Sequence, residues 1–148
     1  MTLAEIQAAI PHREPFLLLD EIVSRDERSI HCRKTFRGDE YFYAGHYPRR
    51  PITPGVLLCE AVMQAGAVLI AGILASQGSH VAEDRVPVAT RMNDVRFKRI
   101  VRPGETIDVE VELNERLADA FFLTGKVTCG GKLAARLEFA CTLAVADY

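Results

Sequence analysis

Apolar residues fall into two kinds of spacing along this chain, and the spacing predicts its elements. Between positions 54 and 76 they are nearly continuous, with Pro54 suited to a first helical position, Thr53 before it as a candidate N-cap, and Gly78 as a stop. A helix apolar nearly all round must be covered on most sides, which in a chain of this size predicts a sheet wrapped around it. Further on, Ile107, Val109, Val111 and Leu113 alternate with polar residues, as do Leu137, Phe139, Cys141, Leu143 and Val145. Each set gives one core face of a strand.

The remaining elements follow from punctuation. Thr2 and Glu5 have capping-box spacing ahead of Leu3, Ile6 and Ile10, with Pro11 closing a short leading helix. From Phe16 to Phe36, two runs separated by Arg25-Asp26-Glu27-Arg28 predict an antiparallel hairpin. A polar loop is expected at Gln77 to Asp84. Strands are expected at Val86 to Phe97, Thr106 to Leu113, Ala120 to Cys129 and Leu133 to Val145, with turns at Pro103-Gly104 and Gly130-Gly131. Consecutive strands with short turns predict an antiparallel meander, hence an α+β fold.

Composition narrows the classes. The 148 residues, 49% of them hydrophobic, suit a single domain spanning 1–148. With 18 basic and 20 acidic side chains, bulk charge does not favour nucleic acid. The run from Ala65 to Ala75 falls short of the roughly 20 residues of a bilayer span, so no membrane insertion is expected. Cys32, Cys59, Cys129 and Cys141 form no CxxC pair and read as small core thiols of a reducing compartment. Without a charged-then-apolar leader, the cytoplasm is the expected location.

Candidate chemistry concentrates between Tyr41 and Gln64. Pro48, Pro51 and Pro54 recur every third residue, which favours an extended, polyproline-like course holding His46 away from the helix start. Alone, a histidine in an aromatic loop such as His46 is more often a hydrogen-bonded packing residue than a catalytic one. Glu60 stands inside the apolar helix, where an ionised carboxylate is costly unless paired, and that suits a general acid. Gln64 shares its face and can orient it. A glutamate on a wet helix edge or in a subunit contact would need no chemistry. Gly55 and Val56 offer backbone N–H groups at the positive end of the helix, able to hold a developing oxyanion. His12, His31 and His80 show no metal-ligand spacing, so no metal site is expected. A Cys59–His46 nucleophile pair has no evident source of thiol activation.

At these residues the sequence resembles the FabZ-type 3-hydroxyacyl-acyl-carrier-protein dehydratases, which have the hotdog fold. The matching stretches are Pro11-His12-Arg13-Glu14-Pro15-Phe16-Leu17-Leu18-Leu19-Asp20, Gly45-His46-Tyr47-Pro48, Pro51-Ile52-Thr53-Pro54-Gly55-Val56-Leu57, Glu60-Ala61 with Gln64, and Arg96-Phe97-Lys98-Arg99 with Pro103-Gly104. The resemblance implies reversible dehydration of 3-hydroxyacyl thioesters to trans-2-enoyl thioesters in fatty-acid biosynthesis, without a cofactor. It places the catalytic histidine at His46, the catalytic glutamate at Glu60 and the oxyanion-binding amide at Gly55. It further implies a homodimer as catalytic unit, dimers that commonly form a hexamer, and an acyl carrier protein bearing a phosphopantetheine-linked acyl chain as partner. His12 and Arg13 are taken as structural.

Acyl carrier proteins are acidic, so the cluster Arg91, Arg96, Lys98, Arg99 and Arg102, with Arg49 and Arg50, is a candidate docking surface; a charged strand edge that resists aggregation is the competing reading. Two features depart from the family pattern. Val86 to Met92 lacks the aromatic-rich stretch that gates the acyl tunnel, and Thr53 stands where a larger apolar residue is frequent. Two rivals share the fold: a thioesterase, which would release free thiol, and a non-catalytic acyl-binding subunit. A dehydratase/isomerase branch uses aspartate at the position of Glu60.

Overall fold

The structure, a computed structural model, describes residues 2–78 and 85–145. Its elements follow in the order α1 (Leu3–Ala9), β1 (Glu21–Arg25), β2 (Ser29–Thr35), α2 (Gly55–Ser76), β3 (Arg85–Phe97), β4 (Thr106–Leu117), β5 (Ala120–Cys129) and β6 (Lys132–Val145). Much of the loop expected at Gln77 to Asp84, including His80, lies outside the described residues. All strand pairings are antiparallel, and the strands form one sheet in the order β1-β2-β4-β5-β6-β3. The sheet wraps α2 as the continuous apolar run predicts, in the hotdog arrangement that the family resemblance implies.

Helix α2 spans 22 residues and is long and apolar enough to cross a bilayer by length and composition, yet 67% of its most apolar window is buried inside the protein. Leu58, Ala61, Val62, Ala65, Val68, Leu69 and Ile70 pack into one core with Val109, Val111, Leu123, Leu137 and Phe139 from the sheet. Helix and sheet approach so closely that two glycines are required. A Cβ on Gly66 would lie 2.7 Å from Phe139 Cζ, and one on Gly125 would overlap Val62 Cγ1.

The alternation read from β4 is met, with Ile107, Val109, Val111 and Leu113 all buried. In β6 it holds from Leu137 to Leu143, but Val145 is exposed at the strand end. Gly130 and Gly131 both have positive φ, 59° and 78°, and join β5 to β6 by a two-residue turn.

Four local expectations are corrected. Thr2 makes no side-chain cap; its backbone carbonyl accepts from Glu5 N at 3.1 Å instead. The run beginning at Phe16 does not pair as a strand until Glu21. Leu18 N donates to Gln64 Oε1 and Gln64 Nε2 donates to Phe16 O, each at 2.8 Å, so a helix side chain occupies the place of a neighbouring strand. The meander holds for β4-β5-β6, whereas β3 pairs with β6 on the far edge. Its Pro87 has no N–H to offer a second neighbour, as suits an edge strand. The 98–105 connection then crosses the start of α2, with Thr53 N donating to Val101 O at 2.8 Å and Gly104 N to Phe36 O at 2.7 Å. Finally, α2 is capped by Pro54 without any side-chain cap, and Thr53 is used elsewhere.

The loop between β2 and α2 is anchored by an ion pair that pattern reading does not reveal. Lys34, 2% exposed, meets Glu40 Oε2 at 3.3 Å and Asp20 Oδ1 at 3.5 Å. Tyr43 N donates to Glu40 O at 3.1 Å, so the pair fixes the first turn of the loop that carries His46. Because Lys34 and Glu40 are both buried, removing one would leave the other charge uncompensated.

Overpacking tests the helix–sheet approach. Gly125→Ala is expected to lower stability by about 1–3 kcal/mol, because the added methyl would overlap the fully buried Val62; thermal or urea unfolding of the purified variant checks this, and an unchanged midpoint would show that α2 does not sit against β5 as described.

Candidate active site

The loop from Phe36 to Pro54 is built on aromatic edges. The Phe36 and Phe42 rings meet edge-on at 6.0 Å and Phe42 meets Tyr43 at 4.7 Å. Tyr43 OH and Thr53 Oγ1 share a buried hydrogen bond of 2.7 Å, which ties the loop to the residue before the helix cap. That is the use of Thr53, and it satisfies two hydroxyls that burial would otherwise strand.

The extended course predicted from the prolines is not adopted. Tyr47 has φ 55°, Arg50 N donates to Tyr47 O at 2.9 Å, and the chain turns back on itself. His46 Nδ1 lies 2.8 Å from Ile52 O, six residues on, where a polyproline course would separate the residues by about 19 Å. Proline spacing is matched, but the left-handed Tyr47 overrides it. A carbonyl only accepts, so Nδ1–H donates to Ile52 O and Nε2 of the neutral ring keeps its lone pair. His46 is half-buried, with its ring edge-on to Tyr47 at 4.9 Å.

Glu60 sits on the least covered stripe of α2, with its side chain 21% exposed. Gln64 Nε2 donates to Glu60 Oε1 at 3.1 Å while the rest of the Gln64 amide is held by Phe16 and Leu18. Gln64, 1% exposed, is therefore fixed at three points. His12 Nε2 also faces Glu60 Oε1, at 3.6 Å. These residues line a cavity of about 230 Å³ walled further by Met63 and by Pro87, Val88 and Ala89 of β3. His12, expected to be structural, thus stands beside Glu60; the Pro11-His12-Arg13 stretch is the available signal, but nothing in its spacing tells that the chain returns to α2.

At the helix start, no hydrogen bond within the described residues takes the N–H of Gly55 or Val56. Gly55 lies against Phe97, whose Cε1 would be 2.7 Å from an added Cβ. Phe97, Ile100, Lys98, Arg99 and Arg102 join Gly55 and Val56 around a groove of about 790 Å³. Its floor is apolar and its rim basic. Arg96 differs from these neighbours: its Nε donates to Asp94 at 2.8 Å, and Arg136 binds the same carboxylate at 2.7 Å. These two hydrogen bonds, Arg96 first, hold the Asp94 carboxyl below its ordinary range. Arg91 lies over the Phe122 ring at 5.8 Å.

Within one chain, therefore, Glu60 and Gln64 come together, and Gly55 and Val56 meet the basic rim. His46 does not join Glu60: no hydrogen bond or ion pair links them, and His46 lines neither the cavity beside Glu60 nor the groove at the helix start. Burial pushes the Cys59 thiol up from its ordinary value, which opposes thiolate formation and removes the basis for a Cys59–His46 pair. Burial likewise takes Cys32 to about 12 and Cys141 to about 11.

A helix wrapped by an antiparallel sheet, with a glutamate in a cavity on its open stripe and unclaimed amides at its start, defines a hotdog-fold protein. A family model for the FabA-like domain matches residues 10–138. The 3-hydroxyacyl-[acyl-carrier-protein] dehydratase FabZ of Albidiferax ferrireducens is 37% identical over 144 residues, covering 97% of this chain and 94% of that protein. The enzyme of the same name from Caulobacter sp. is 39% identical over 139 residues, covering 93% and 83%. Among solved structures, the dehydratase heterocomplex ApeI:P from Xenorhabdus doucetiae superposes with a TM-score of 0.80 at 16% identity, over 94% of this chain and 90% of that one. A hypothetical thioesterase with coenzyme A from Streptococcus pneumoniae reaches 0.63 at 8% identity, over 84% and 88%, which shows the shared fold alone. The chain belongs to the FabZ-type dehydratases.

The Tyr43–Thr53 contact gives a direct test of how the histidine loop is held. Tyr43→Phe should cost about 1–3 kcal/mol in unfolding free energy, since Thr53 Oγ1 is left buried without its partner. Denaturant titration reads the change, and a variant as stable as the parent would show that the hydroxyl pair does not anchor the loop.

Proposed function

We propose that this chain reversibly dehydrates 3-hydroxyacyl thioesters carried on acyl carrier protein, as a cytosolic homodimeric enzyme of fatty-acid biosynthesis, using His46 as base and Glu60 as acid. The observation that carries the assignment is the His46 Nδ1–H bond to Ile52 O, which leaves Nε2 as an oriented acceptor. His46 Nε2 takes the proton on the α-carbon, and the thioester oxygen gathers charge beside the Gly55 and Val56 amides. The electron pair then forms the α–β double bond as the β-carbon–oxygen bond breaks. Glu60 gives its proton to the departing oxygen, and water leaves. The α-hydrogen and the β-hydroxyl leave together as water with no net oxidation or reduction, so the step calls for no redox cofactor.

A dimer supplies what one chain lacks. Among the described residues the outer edge of β3 is unpaired, and Val88, Met92 and Phe97 on it are exposed. Pro87, Val88 and Ala89 of the same strand wall the cavity beside Glu60, so a second copy paired along β3 would close over that cavity. His46 of the partner subunit is the base assigned to it. Further association of dimers into a hexamer fits the family. The basic rim of Lys98, Arg99 and Arg102, with Arg96 nearby, fits an acidic carrier protein whose acyl chain enters the apolar groove.

Following the enoyl absorbance with an enoyl or 3-hydroxyacyl thioester tests the reading. His46→Ala and Glu60→Gln should each lower kcat by roughly 100-fold or more. Full activity in either folded variant would overturn its role, and release of free thiol from an acyl thioester would favour hydrolysis instead.

A further inference from the structure

His12 is the unassigned polar group closest to the reaction. Its Nδ1 is sealed from solvent and has no hydrogen-bond partner among the described residues, while its Nε2 faces Glu60 Oε1 at 3.6 Å. Arg13 clamps the segment in place, its guanidinium donating to Ile10 O at 2.8 Å and Gln7 O at 2.9 Å. Nδ1 is unsatisfied in either tautomer, so the neighbour of Nε2 decides: a carboxylate oxygen faces it, and the neutral ring carries its proton on Nε2, directed at Glu60. Gln64 Nε2 donates to the same oxygen at 3.1 Å. Both contacts converge on Oε1. Among the described residues Glu60 Oε2 has no partner, and it is not sealed, which leaves it as the oxygen facing the cavity.

Resting on the assignment of Glu60 as the acid, we infer that His12 is a positioning residue: with Gln64 it pins Glu60 Oε1, so that Oε2 presents the proton to the departing hydroxyl. The hydrogen bond from Gln64 makes Oε1 the acceptor, and the His12 ring edge, facing the same atom at 3.6 Å, favours that arrangement whether or not Glu60 is protonated. The proton of the acid form then resides on Oε2. The other titratable group lining the cavity, Cys141 on β6, is kept as a neutral thiol by burial and does not compete for it. His12 thus carries the opposite tautomer from His46, whose proton is on Nδ1.

Two measurements test this. In long-range proton–nitrogen correlation spectra of the ¹⁵N-histidine-labelled protein, the resonances lost in His12→Gln should report a ring protonated at Nε2; protonation at Nδ1 would overturn the proposal. In steady-state kinetics, His12→Leu should lower kcat by roughly 10- to 100-fold with KM little changed, as for a misplaced acid. His12→Gln, whose amide N–H reaches the position of Nε2, should recover most of that loss. Wild-type kcat in folded His12→Leu, or equal losses in the two variants, would contradict it. If His12→Leu fails to fold, the tautomer and the His12→Gln rate still decide. Activity retained in Glu60→Gln would instead overturn the assignment of the acid itself, so the two failures are distinguishable.

Discussion

The structure depends on one constraint: α2 has no polar face to offer water. A 22-residue helix of this hydropathy must be covered, and the sheet covers it by wrapping. Burial of that surface is the main favourable contribution to folding, and it also decides where chemistry can occur. Coverage is incomplete along the stripe of Val56, Glu60 and Met63, because β3 at the sheet edge stands over it without closing it. The polar side chains the helix does carry are therefore found where the wrap stops. Glu60 is one of them; Gln64, deeper, is tolerated because all its amide atoms are spoken for.

Much of this was legible in the residues themselves. The unbroken apolar run set the helix, and period-two alternation in β4 and β6 set the strands facing it. Gly130-Gly131 announced its turn. What pattern reading missed was long-range. Gln64 replaces a strand as the partner of Phe16 and Leu18, and no local signal encodes a side chain substituting for a ladder. Pro87 did mark β3 as an edge, but a meander was the simpler reading of consecutive strands. The positive φ at Tyr47 folds back a loop that three prolines would extend. Thr53 has the chemistry of an N-cap, and tertiary packing gave its hydroxyl to Tyr43 instead.

The candidate site was legible as residues and not as geometry. His46, Glu60, Gly55 and Gln64 were recognisable from type, position and family pattern. That His12 lies beside Glu60 depends on where the chain folds after α1, and that Arg96 is paired with Asp94 while Lys98, Arg99 and Arg102 rim the groove depends on bulges in β3. Each half of the proposed site is preorganised by backbone: Ile52 O fixes the tautomer of His46, and Phe16 and Leu18 fix Gln64 and, through it, Glu60. Such fixing removes reorganisation from the chemical step.

Preorganised halves that do not meet in one chain lead to the central claim, that His46 and Glu60 form a site only between subunits. Mixing two inactive variants, His46→Ala and Glu60→Gln, under conditions that exchange subunits measures this most directly. Random pairing makes half the dimers mixed, each with one intact site of two, so activity should return to about a quarter of wild type. Confirmed subunit exchange with no recovery would mean that each site draws both residues from one chain.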